Sequence, residues 1–136
     1  MRFVDTNILL YGVSTVPGEA SKARVARRLL EAADLALSVQ VLQEFYVQAT
    51  RVGRRDRLSH DQAALLIESW LRFPVQETTV PLVQAALETK RRYRMSYGDA
   101  AIVEAARLLE CATLLSEDFA HGRDYDGVRV ENPFLG

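Results

Sequence analysis

The stretch Arg2-Phe3-Val4-Asp5-Thr6-Asn7 decides how this chain is read. An apolar run of β character stops on a carboxylate with a hydroxyl beside it. An apolar, helix-like segment, Ile8-Leu9-Leu10-Tyr11, follows at once. Open α/β sheets collect their ligands outside the carboxyl ends of the strands, and Asp5 stands at such an end. Aspartate is also among the preferred helix N-caps, so the position by itself leaves capping open.

The same alternation runs through the rest of the chain. The β-like runs are Arg2–Val4, Leu35–Ser38, Val75–Thr78, Thr113–Ser116 and Val128–Val130. Between them, Ala23, Ala26, Leu29, Leu30 and Ala33 fit one helix face, as do Leu42, Phe45, Tyr46 and Ala49. Ala63, Leu66, Ile67, Trp70 and Leu71 match the i, i+3, i+4, i+7, i+8 template in full. Pro81 is placed to open a further helix that would bury Val83, Ala86 and Leu87. From Ala100 to Leu109 the chain is apolar on most sides, as in a helix deep in a core. Short strands, several of them continuously apolar and most separated by helices, indicate a parallel sheet covered on both faces. The fold class is α/β with three layers. At 136 residues the chain has the size of one domain, residues 1–136.

Hydrophobic residues make up 49% of the chain and charged residues 26%, the balance of a soluble globular protein. No apolar run approaches the length of a bilayer span, and Met1-Arg2-Phe3-Val4-Asp5 is not a signal peptide. A first strand starting at residue 2 leaves no room for targeting, so a cytoplasmic protein is expected. The single cysteine, Cys111, sits in Leu108-Leu109-Glu110-Cys111-Ala112 and reads as a small buried hydrophobe.

The formal net charge of −1 excludes a polycation, but the distribution is uneven. Basic residues cluster in Lys22/Arg24/Arg27/Arg28, Arg51/Arg54/Arg55/Arg57 and Lys90/Arg91/Arg92/Arg94, while acids dominate the tail. Of 17 basic residues only Lys22 and Lys90 are lysines. Arginine's planar fork suits bidentate phosphate contacts, so the bias is compatible with a nucleic-acid substrate. Each cluster alone also has the ordinary reading of a solvated helix face or end.

Three more acids occupy punctuation points like that of Asp5. Glu44 lies in Ser38-Val39-Gln40-Val41-Leu42-Gln43-Glu44-Phe45. Ser38 is a natural N-cap, which puts Glu44 in the second turn, where the helix dipole gives a carboxylate some help. Asp99, in Ser96-Tyr97-Gly98-Asp99-Ala100-Ala101-Ile102, opens the most apolar helix. An ionised carboxylate buried there is costly unless it is paired or binds a metal, with capping as the competing role. Asp118 closes Thr113-Leu114-Leu115-Ser116-Glu117-Asp118-Phe119, an echo of Asp5-Thr6 in which adjacent Glu117 competes for the inward position. A parallel sheet gathers such acids along one edge.

Two unit charges about 4 Å apart repel by roughly 4 kcal/mol at an effective dielectric of 20. Four converging carboxylates therefore require a cation near neutral pH. Oxygen-only ligands select hard ions, so Mg²⁺ or Mn²⁺ is implied and zinc is not. Such an ion serves phosphodiester hydrolysis by activating water and neutralising phosphate charge. His60 and His121 have no Ser or Cys partner at a recognisable spacing, and no Gly-rich phosphate loop is present.

Taken together, Phe3-Val4-Asp5-Thr6-Asn7, Gln43-Glu44-Phe45, Ser96-Tyr97-Gly98-Asp99-Ala100-Ala101-Ile102 and Leu114-Leu115-Ser116-Glu117-Asp118-Phe119 resemble the PIN-domain family. The likeness is to the VapC-like ribonuclease toxins of bacterial toxin–antitoxin pairs and covers essentially the whole chain. The ending Gly127-Val128-Arg129-Val130-Glu131-Asn132-Pro133-Phe134 shares it. The resemblance implies a five-stranded parallel sheet in the order 3-2-1-4-5, flanked by helices, with the acids at its carboxyl edge. It implies that Asp5, Glu44 and Asp99 bind Mg²⁺, with Mn²⁺ as a substitute, directly or through water. Asp118 would complete the site, favoured over Glu117 because the family places Asp two positions after the Thr/Ser. Thr6 and Ser116 would orient carboxylates or waters by hydrogen bonds.

The activity implied is Mg²⁺-dependent endoribonucleolytic cleavage. The resemblance also implies a homodimer and a cognate antitoxin that inserts a peptide into the acidic groove. The basic clusters become candidate RNA-binding walls, Arg51–Arg57 first among them. Two other readings stand beside it: a non-catalytic PIN-like module that holds RNA or protein, and a metal-dependent DNase, since nothing in the sequence reads a 2′-hydroxyl. A phosphoryl-transfer domain with an aspartate nucleophile is disfavoured, because Asn7 stands where a second Asp is commonly wanted.

Overall fold

Five short strands form one sheet in the order β3-β2-β1-β4-β5, seen in a computed structural model that describes residues 1–135. They are β1 (Arg2–Val4), β2 (Leu35–Ser38), β3 (Val75–Gln76), β4 (Thr113–Leu115) and β5 (Arg129–Glu131), every pairing parallel. This is the strand order that the family resemblance implies. Phe3 at the centre is opposite Ala36 on one side and Leu114 on the other. The order reverses at β1, so the carboxyl end of β1 opens into the crevice where such sheets bind ligands.

Among the described residues, six helices cover the sheet: α1 (Thr6–Gly12), α2 (Ala20–Leu30), α3 (Val39–Ala49), α4 (His60–Trp70), α5 (Val80–Tyr93) and α6 (Tyr97–Leu108). A short 3-10 turn, Pro17–Glu19, leads into α2. The strands are apolar because both faces are covered: Phe3, Val4, Leu35, Leu37, Leu114 and Leu115 are fully buried. Phe45 of α3 meets Trp70 of α4 edge to face, with centroids 4.7 Å apart. Helix α6 buries every residue from Ala100 to Ala106, as its apolar pattern indicated, and Cys111 is buried as well. None of the described helices is long and apolar enough to cross a membrane.

Several expected boundaries shift. Strand β3 stops at Gln76 and not at Thr78, because the chain turns out of the sheet to start α5, where the Thr79 hydroxyl accepts the Leu82 N–H at 3.2 Å. That cap and Pro81 set a helical register which buries Leu82 and Ala86. The expected triplet Val83, Ala86 and Leu87 is therefore only partly right, with Val83 half-buried and Leu87 54% exposed. Ala33 and Leu71 lie beyond the ends of α2 and α4 and are exposed. Strand β5 begins one residue later than expected.

The register of α5 can be checked by truncation. Leu82→Ala is expected to cost about 2–5 kcal/mol, as for other buried leucines. Leu87→Ala is expected to stay within about 0.5 kcal/mol. Urea unfolding of both variants reads the difference.

Candidate active site

The carboxyl edge of the sheet holds a cavity of about 410 Å³, and all four predicted acids, Asp5, Glu44, Asp99 and Asp118, line it. Thr6, Asn7, Gln48, Ser96 and Gly98 complete much of its wall. The four acids reach it from four separate segments: the end of β1, the second turn of α3, the first turn of α6 and the turn after β4.

Asp5 caps and faces the cavity at once. One oxygen, Oδ1, accepts the Thr6 N–H at 2.8 Å, while Oδ2 accepts the Ser116 hydroxyl at 2.7 Å and Asn7 Nδ2 at 3.3 Å. Only 6% of the residue is exposed. Burial pushes the Asp5 carboxyl up to about 7. The hydrogen bonds from Ser116 and Thr6 oppose that rise, and the charges of Asp118 and Glu44 add to it.

Glu44 is held by two neutral donors. Thr6 Oγ1 donates to Oε2 at 2.7 Å and Gln40 Nε2 donates to Oε1 at 2.9 Å. Gln40 also donates to the Gly98 carbonyl at 3.1 Å, which ties α3 to the start of α6. Ser38 caps α3 by accepting the Val41 N–H at 3.2 Å, so the turn carrying Glu44 starts at a defined point.

Asp99 is not the cap of α6; Ser96 is, its hydroxyl accepting the Asp99 N–H at 3.1 Å. The Asp99 side chain is half-buried on the cavity wall. Burial holds its carboxyl above the usual range, Ser96 lowers it, and the charges of Asp118 and Glu44 raise it further.

Between Glu117 and Asp118 the structure separates two directions. Asp118 faces the acids, and its Oδ2 accepts Asn7 Nδ2 at 3.1 Å. Glu117 turns to the other side of the loop, where it accepts hydrogen bonds from the Tyr11 hydroxyl and from Lys22 Nζ, the latter at 2.8 Å. The Ser116 hydroxyl accepts the Asp118 N–H at 3.1 Å and Asn7 Nδ2 at 3.0 Å while donating to Asp5.

Asn7 is the residue that sequence reading passed over. It is 9% exposed and reaches Asp5, Ser116 and Asp118 with Nδ2, while its Oδ1 accepts the Glu117 N–H at 3.3 Å. Its signal was its place in the first turn after Asp5, its one local partner; Ser116 and Asp118 reach it only through tertiary structure. Gln40 and Gln48 were also missed. Their spacing of four from Glu44 puts all three on one helix face, which the sequence does contain.

Among the described residues, no three Asp, Glu, His or Cys side chains converge closely enough to hold one metal ion by themselves. Mg²⁺ typically keeps several waters and uses one or two carboxylates, and the carboxylate and hydroxyl oxygens in this cavity's lining fit a cation bound in that way. The basic cluster Arg51–Arg57 is divided in use. Arg54 pairs with Asp56 at 3.1 Å and Arg57 donates to the Thr50 carbonyl at 2.8 Å, whereas Arg51 and Arg55 are exposed.

A family model described as PIN domain matches residues 2–123. None of the curated proteins matches the chain in sequence. Among solved structures, a toxin–antitoxin complex from Klebsiella pneumoniae is 20% identical with a TM-score of 0.70, covering 98% of this chain and 98% of that one. VapC20 from Mycobacterium tuberculosis, a sarcin–ricin loop cleaving toxin, is 19% identical with a TM-score of 0.66 over 84% and 87% of the two chains. VapBC2 from Rickettsia felis, bound to a DNA fragment from its promoter, is 17% identical with a TM-score of 0.66 over 96% and 97%. At these identities the likeness is one of fold.

The raised Asp5 carboxyl makes stability depend on pH. Between about pH 4 and pH 7 the folded chain keeps a proton that the unfolded chain has released, so stability falls as pH rises through that window and levels off above it. Raising a carboxyl from 3.8 to about 7 corresponds to a loss on the order of 4 kcal/mol. Urea unfolding in EDTA is expected to show this decline, and Asp5→Asn is expected to flatten it.

Proposed function

The chain belongs to the PIN-domain family, and on that footing we propose that it is a Mg²⁺-dependent endoribonuclease of the VapC toxin type, restrained by a cognate antitoxin. The observation that carries this reading is the gathering of Asp5, Glu44, Asp99 and Asp118 around one cavity at the reversal point of the sheet. The fold relative VapC20, a sarcin–ricin loop cleaving toxin, supports RNA over DNA as the substrate class. The toxin–antitoxin complex among the fold relatives supports an antitoxin partner. A homodimer and a cytoplasmic site of action belong to the same reading.

In it, Asp5, Glu44, Asp99 and Asp118 would hold Mg²⁺, or Mn²⁺ in its place, directly or through water. When bound, such an ion supplies an activated water and neutralises charge on the scissile phosphate. The chain's own groups do the positioning. Asn7 spans Asp5 and Asp118, Ser116 directs one oxygen of Asp5, and Thr6 with Gln40 fixes both oxygens of Glu44. Gln48 extends the Glu44 face of α3 toward the exposed Arg51, a surface suited to the substrate's backbone phosphates.

Cleavage of end-labelled RNA by purified chain tests the reading, with Mg²⁺, with EDTA, and with Asp99→Asn prepared in parallel. Discrete Mg²⁺-dependent cuts are expected, with at least about a hundredfold loss in the variant, the scale of a positioned ionisable group. Equal cleavage by Asp99→Asn would sink the assignment. Asn7→Ala, which removes a group supporting two of the acids, is expected to lose about 10–100-fold in rate. If cleavage is confined to DNA substrates, the chain is a DNase.

A further inference from the structure

Arg123 lies in the loop that follows Asp118 and is held unusually well for an exposed arginine. Its guanidinium carbon stands 5.2 Å from the ring centroid of Tyr125 and 5.7 Å from that of Tyr93. The two rings meet edge to face at 5.1 Å, so they form one aromatic block under the cation. Both distances are within the range of cation–π attraction. The backbone is pinned as well, with the Arg123 N–H donating to Ala120 O at 3.1 Å and its carbonyl accepting the Val130 N–H at 2.9 Å.

The hydrogen-bonding edge of this arginine is unused. Among the described residues its guanidinium has no hydrogen-bonding or carboxylate partner, although Asp124 and Asp126 are near it in sequence. Asp124 instead approaches Arg129 at 3.7 Å, and Asp126 approaches Arg92 at 3.8 Å. An arginine stacked on aromatics keeps the planar fork that matches a phosphate, and less rotamer freedom is left to lose on binding.

The block also adjoins the acids. Phe119, next to Asp118, packs on Tyr125 with centroids 6.0 Å apart, and Tyr93 ends the helix that turns back toward Ser96 and Asp99. Burial pushes the Tyr125 hydroxyl up, the charge of Arg123 opposes that rise, and the charge of Asp99 adds to it. Exposed Arg94, also without a carboxylate partner among the described residues, stands in the same α5–α6 turn.

We propose that Arg123, seated on Tyr93 and Tyr125 with its guanidinium edge free, binds a backbone phosphate of the RNA where it leaves the acidic cavity, with Arg94 extending the same bank. This rests on the nuclease reading for the identity of the ligand, not for the geometry of the arginine. It makes Arg123 a substrate-binding residue, separate from the four acids.

The test is binding of a short fluorescently labelled single-stranded RNA in EDTA, where no cleavage occurs, across a range of KCl concentrations. Arg123→Gln is expected to weaken binding at low salt by about fivefold or more and to reduce the slope of log K against log salt by about 0.7, the value for one lost phosphate contact on a single strand. Arg123→Lys, which keeps the charge and loses the stacked fork, is expected to keep the parental slope with a smaller loss of affinity. A merely structural role for Arg123 would change the melting temperature and leave the slope alone. Parental affinity and slope in Arg123→Gln would overturn the proposal, as would a parent chain that binds no RNA. Cleavage by Asp99→Asn in Mg²⁺ separates the two readings: if it equals the parent's, the nuclease assignment fails while the Arg123 result stands.

Discussion

Repulsion among four carboxylates that share one cavity is the constraint to which the rest of this structure answers. Left to themselves, Asp5, Glu44, Asp99 and Asp118 would move apart into solvent. They are kept together by neutral donors inserted between them: Asn7 between Asp5 and Asp118, Ser116 against Asp5, and Thr6 and Gln40 on Glu44. Burial above all raises the carboxyls of Asp5 and Asp99, and the charges of Asp118 and Glu44 add to it.

The sheet makes this arrangement affordable. Parallel pairing of β1 with β2 and with β4 brings the ends of these strands to one edge. Short turns then deliver Asp5 and Asp118 directly and Glu44 through the capped start of α3. Each donor comes from an element whose packing is settled elsewhere. Asn7 rides on α1 beside the buried Ile8 and Leu9, and Ser116 follows the buried Leu114 and Leu115. The same logic excludes Glu117. Its carboxylate is occupied by Tyr11 and Lys22 on the far side of the turn, so a fifth negative charge stays out of the cavity.

The parts of this picture legible in sequence are those with a local signature. A strand ending on Asp5-Thr6, a Ser38 cap placing Glu44, and an apolar helix opening on Asp99 could each be read from neighbouring residues. Strand order could not, since the alternation of elements is the same for several topologies; it came from the family likeness. The α5 register failed by one residue because Val83 and Leu87 are as apolar as Leu82, and the Thr79 cap decided among them. Asn7 and Arg123 were invisible for a different reason. Asn7 reaches Ser116 and Asp118, more than a hundred residues away, and one of the two rings holding Arg123 belongs to α5. Polar residues whose role rests on such tertiary partners carry no periodicity to find.

Crystals of the chain grown with Mn²⁺, measured at a wavelength where manganese scatters anomalously, test the central claim most directly. The account predicts an anomalous peak inside the cavity lined by Asp5, Glu44, Asp99 and Asp118, with carboxylate oxygens or ordered waters as its neighbours. A cavity of unchanged geometry that stays empty of manganese at saturating concentration, or manganese bound only elsewhere on the chain, would contradict it.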